Sequence, residues 1–152
     1  MMRSGLFRAC FLLLVAVLFF PAASARAQSS SANFEAQLIW GTNEKQSDPK
    51  LKAADPKLVE KLQKSPFKWN YYFEMRKESI KLKLNEERTV TMSRNCVISV
   101  TSLKGEQVKF QLIGKGQLAN TVTQELPKGR LLITGGDAEN STAWFVVLKQ
   151  VD

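Results

Sequence analysis

From Trp69 to the C-terminus the chain alternates apolar and polar residues at every second position, and turn residues interrupt the pattern roughly every ten positions. A period of two belongs to the extended strand, whose successive side chains leave on opposite faces, so long helices are excluded over this length. Trp69, Tyr71, Phe73 and Met75 alternate with Asn70, Tyr72, Glu74 and Arg76, and Ile80, Leu82 and Leu84 alternate with Lys81 and Lys83, which together read as a first hairpin. Val90 and Met92, then Ile98 and Val100, then Val108, Phe110 and Leu112 mark the next strands. The segment 117–126 is less regular, Leu131 and Ile133 mark a further strand, and Gly135 opens a polar loop running to Thr142. Trp144–Leu148 is a continuous apolar run suited to the centre of a sheet, and upstream Phe34, Ala36, Leu38 and Trp40 alternate with Glu35 and Gln37.

Eight or nine strands at this spacing predict an all-β fold, an antiparallel β-sandwich of immunoglobulin-like or related architecture with one short helix. A small closed β-barrel is the alternative, because strand spacing alone does not separate the two. The cysteine and tryptophan marks of antibody domains are absent, so the likeness is one of architecture.

The helix falls in a Lys/Pro-rich insertion at about 45–68. Asp55 supplies an N-cap oxygen, Pro56 suits the first helical position, and Leu58, Val59 and Leu62 form a narrow apolar stripe before Pro66 stops the helix. Such a helix is expected to lie on a sheet surface or cover an open end.

Residues 1–27 read as a cleaved signal peptide. Arg3 and Arg8 precede the apolar run Phe11–Phe20, which is too short to span a bilayer, and Ala25 and Ala27 end A-x-A cleavage sites. Residues 28–33 read as a disordered polar leader, and 34–152 as a single β-rich domain. An exported product, periplasmic or extracellular, with no transmembrane segment after cleavage, is the expectation. Loss of Arg3, Arg8 and Arg26 lowers the net charge from +8 to +5, and loss of Cys10 leaves Cys96 alone, which reads as a buried small hydrophobe.

The chain contains no histidine, which excludes a Ser/His/Asp triad, a Cys/His dyad and every imidazole metal ligand. The carboxylate groupings Glu86-Glu87, Glu74 with Glu78, and Asp137 with Glu139 read as solvated turn or strand residues rather than a glycosidase pair. Ser79 and Lys81 share a solvent-facing side of a strand, Gly114-Lys115-Gly116 lacks phosphate-loop spacing, and turn chemistry accounts for Gly135–Thr142 without a cation. Asn140 heads a formal glycosylation sequon. No catalytic residue, cofactor or metal is expected, and the chain reads as a non-enzyme.

Basic charge is the positive signal. Residues 45–83 hold eleven basic side chains against five acids, beside aromatic residues. Lys57, Lys61, Lys64, Lys68, Trp69, Tyr72, Arg76, Lys81 and Lys83 are therefore the candidate surface for an anionic polymer or an acidic envelope protein. Nucleic acid is not expected as a partner. The functional expectation is an exported, non-enzymatic β-sandwich serving as a binding or structural module in the cell envelope or secreted space. The competing expectation is a small carbohydrate- or cell-wall-active protein using carboxylates and exposed aromatic rings.

Overall fold

The structure, a computed structural model, describes residues 31–64 and 69–151. The expected signal peptide therefore lies outside the described residues, as do residues 28–30 of the leader and Lys68 of the candidate basic surface. Among the described residues no helix is long and apolar enough to cross a membrane.

The elements run in the order β1 (Ser31–Thr42), β2 (Lys52–Ala53), α1 (Pro56–Gln63), β3 (Tyr71–Lys83), β4 (Glu87–Ser93), β5 (Cys96–Ser102), β6 (Gln107–Gly114), β7 (Gln117–Glu125), β8 (Leu131–Ala138) and β9 (Thr142–Val151). They form two separate antiparallel sheets, ordered β2-β3-β1-β9-β8 and β4-β5-β6-β7, packed as a sandwich rather than closed as a barrel. The smaller sheet is a plain meander of consecutive strands, unlike the ABED and CFG sheets of antibody domains. β1 begins at Ser31, so Ser31, Ala32 and Asn33, expected in the disordered leader, belong to the first strand.

The alternation picks out most of the residues that meet between the sheets; on β8 it is Leu132 that does so, in place of the expected Leu131 and Ile133, of which Ile133 is exposed. Phe34, Ala36, Leu38, Ile80, Leu82, Met92, Ile98, Val100, Val108, Phe110, Leu132, Val146 and Leu148 form one buried cluster, and burying each large member stabilises the fold by about 1.5–3 kcal/mol. The larger sheet is covered on its other face as well. There α1 lays Leu58 and Leu62 against Ile39, Tyr72, Ala143, Phe145 and Val147. Burial on both faces is why β9 reads as an unbroken apolar run. The cap works as expected, with Asp55 Oδ1 accepting from the Lys57 and Leu58 amides at 2.8 and 3.3 Å.

β3 departs from the sequence reading, being one strand of 13 residues where a hairpin was expected. The inward positions change from odd numbers at Phe73 to even numbers at Ile80, and a β-bulge explains the change. Leu38 pairs with Arg76 while the next residue, Ile39, pairs with Glu74, leaving Met75 as the extra residue. Gly135–Ala138, expected as loop, continues β8 and pairs with Thr142–Phe145 of β9. Gly135 is required there because a β-carbon would fall 2.1 Å from the Trp144 carbonyl oxygen.

Candidate functional site

At the end of the sandwich holding Thr42 and Thr142, the larger sheet carries a row of rings past the core. Leu38 of β1 and Val146 of β9 are paired and buried between the sheets. Two residues further along each strand, on the same face by alternation, Trp40 pairs with Trp144. Across β3, Trp40 pairs with Phe73, and across β8, Trp144 pairs with Gly136. Phe73, Trp40 and Trp144 thus stand side by side on three adjacent strands. Ring centroids are 5.8 Å apart for Phe73 and Trp40 and 6.3 Å for Trp40 and Trp144, with tilts of 34° and 28°.

Trp40 and Trp144 form one wall of a cleft of about 910 Å³, and Cys96, Leu112 and Gly114 of the smaller sheet form the facing wall. Burial pushes the Cys96 thiol above its ordinary range, which keeps it protonated and a poor nucleophile. Cys96 is half-buried against the core, close to its expected role as a small apolar residue, but it also faces this cleft.

Turns fix the rim. Asn140 and Ser141 (φ 60° and 51°) make the tight β8–β9 connection, and Lys115 and Gly116 (φ 50° and 77°) make the β6–β7 connection. The Lys115 amide donates to the Asn95 carbonyl at 2.9 Å, tying that turn to the β4–β5 turn. The Thr142 hydroxyl donates to the Glu139 carbonyl at 2.9 Å, and the Glu44 amide donates to the Thr42 hydroxyl at 3.1 Å. The lining includes Glu44, Asp137 and Glu139 but a single basic residue, Lys115, in a chain whose net charge is +8. Among the described residues no group of three Cys, Asp or Glu side chains is placed to hold a metal ion.

The basic residues singled out from the sequence are divided among several places. Lys57 and Lys61 line a recess of about 620 Å³ between α1 and the outer face of the larger sheet, joined there by Lys52, Lys77 and Lys149, which were not singled out. Acids already sit among them. Glu74 is 2.7 Å from Lys52, and Glu35, whose side chain is 14% exposed, is 2.9 Å from Lys77 and 2.7 Å from Lys149. Lys64 pairs with Glu60 on α1, and Arg76 pairs with Glu78 on the opposite face of β3 from Lys77. Lys81 and Lys83 lie at the far end of β3, opposite Asn33 and Ser31.

The aromatic members are corrected more strongly. Tyr72 is 4% exposed in the core under α1, its hydroxyl accepting from the Trp69 amide at 3.1 Å, and so presents no ring to a partner. Trp69 packs on Gly41, where a β-carbon would come within 2.9 Å of the indole. The helix roof turned both rings inward, a burial that period-2 alternation cannot signal. Trp40, Trp144 and Phe73 went unrecognised as a group because they lie far apart in sequence and meet only through the pairing of β3, β1 and β9.

Comparison with protein-family models, with curated proteins and with solved structures gave no match.

Proposed function

We propose that the chain is an exported, non-enzymatic binding module that takes its ligand into the open end of the sandwich, over Trp40 and Trp144. The observation that carries this reading is the cleft itself. It is a preformed concavity with aromatic and aliphatic walls and a hydrogen-bonded polar rim, the usual make-up of a small-ligand site. A non-catalytic role is supported by the absence of histidine and by the raised pKa of the one thiol in the cleft. The dispersal of the basic residues, and the acids set among those that do gather, favour the cleft over the basic surface as the principal site. Export is supported by the leader sequence, and cleavage after Ala27 leaves three residues before β1.

The test is a backbone-amide NMR titration of the exported product with a panel of small aromatic, aliphatic, sugar and polyanionic probes. Shifts clustered at Trp40, Trp144, Leu112 and Gly114 are expected. Shifts confined to Lys52, Lys57, Lys61 and Lys149 would move the function to the basic recess. Mass determination of the same product is expected to place its N-terminus at Gln28, and an N-terminus at Met1 would end the export reading.

A further inference from the structure

Resting on the cleft as the binding site, we propose that its ligand is a neutral oligosaccharide whose sugar rings lie along the row Trp40–Trp144. A pyranose is amphipathic in a particular way, with C–H bonds on its flat faces and hydroxyls around its edge. It is matched by an aromatic surface beneath and hydrogen-bonding groups beside. Both are present.

Trp40 and Trp144 share one wall and are tilted by only 28° to each other, so they offer aromatic surface on which successive sugars can stack, with Phe73 packed against Trp40 from the neighbouring strand. A slot for one planar aromatic ligand would instead set rings on facing walls, and the facing wall here is Cys96, Leu112 and Gly114. Trp144 remains 38% exposed, accessible to a ligand without rearrangement.

The rim supplies what sugar hydroxyls need. Gln46, Asn95 and Asn140 offer amides that both donate and accept, and Glu44 and Glu139 offer acceptor oxygens. Acids outnumber the lining's one lysine, which selects against uronic-acid and sulfated glycans despite the +8 charge of the whole chain. Gly136, next in register after Trp144, leaves the end of the row open. A β-carbon there would meet no heavy atom within 4 Å, so a chain longer than one sugar can run on past Trp144.

The experiment is titration of the full exported chain with cellotetraose, maltotetraose, chitotetraose and their disaccharides, with a polygalacturonate tetramer as anionic control and an apolar naphthalene-sulfonate dye as hydrophobic control. At least one neutral tetrasaccharide is expected to bind about tenfold more tightly than its disaccharide, because it spans more of the row. Trp144→Ala is expected to weaken it about tenfold, and Leu118→Ala, on the exposed β7 edge, to leave it unchanged. Gly136→Val, which closes the end of the row in a position with free space, is expected to erase the advantage of the tetrasaccharide while sparing the disaccharide. Binding of the dye but of no neutral glycan, with the dye lost in Trp144→Ala, would overturn the ligand class and leave the cleft standing. Failure of every probe to perturb Trp40 and Trp144 would overturn both.

Discussion

Glu35 on β1 and Lys149 on β9 stand directly opposite each other and join at 2.7 Å, with the second Glu35 oxygen 2.9 Å from Lys77 on the other flanking strand. Burial pushes the Glu35 carboxyl up, but the hydrogen bonds from Lys149 and Lys77 outweigh it and hold the group below the usual carboxylate range. A carboxyl lowered in the folded state contributes stability above its unfolded pKa and loses it as pH falls through the folded value. Glu35→Gln is therefore expected to cost about 1 kcal/mol at neutral pH, with the difference from the parent shrinking between about pH 5 and pH 3. Urea midpoints across that range check it, and a pH-independent difference would show that the ion pairs are not its cause.

Gly135 and Gly136 are neighbours with opposite tolerance. Gly135→Ala drives a methyl to 2.1 Å from the Trp144 carbonyl oxygen and 2.9 Å from the Phe145 α-carbon, so backbone must move. A loss of about 3 kcal/mol is expected, the upper end for overpacking. Gly136→Ala meets nothing within 4 Å and is expected to change stability by less than about 1 kcal/mol. Thermal melts of the two variants separate close backbone approach from general strand preference.

The roof over the larger sheet is held by Leu62, 1% exposed, whereas Leu118 on β7 is 59% exposed. Leu62→Ala is expected to cost about 2–5 kcal/mol and Leu118→Ala less than about 0.5 kcal/mol. Equal effects in chemical denaturation would mean that α1 is not docked on the sheet.

Asp55→Ala removes the acceptor of the Lys57 and Leu58 amides and is expected to cost about 1 kcal/mol. Asp55→Asn keeps an acceptor oxygen and is expected to recover most of that loss. Hydrogen exchange at Lys57 and Leu58 reads the cap directly.

What was legible in the sequence was what depends on near neighbours. The alternation of Phe34 to Trp40, the apolar run Trp144–Leu148 and the Asp55-Pro56 helix start each state a local rule, and each element formed there, with β1 and β9 running beyond the expected bounds. Pairing across strands was not legible, and the candidate cleft depends on it. Trp40, Phe73 and Trp144 become neighbours only through two strand registers. Tyr72 was misread for a related reason. On a sheet covered on one face it would have been exposed, and the second cover comes from Leu58 and Leu62, ten or more positions earlier in the chain.

The extra residue at Met75 gives the segment from Tyr71 to Met75 an unusual kind of constraint. Tyr72 faces the helix and Phe73 the same side as Trp40 because one residue stands unpaired between Glu74 and Arg76, more than because of which residues they are. Deleting Met75 would leave both rings on their present faces, because Glu74 already pairs with Ile39 and Arg76 with Leu38, whereas a regular strand of the present length would turn both to the opposite sides of the sheet.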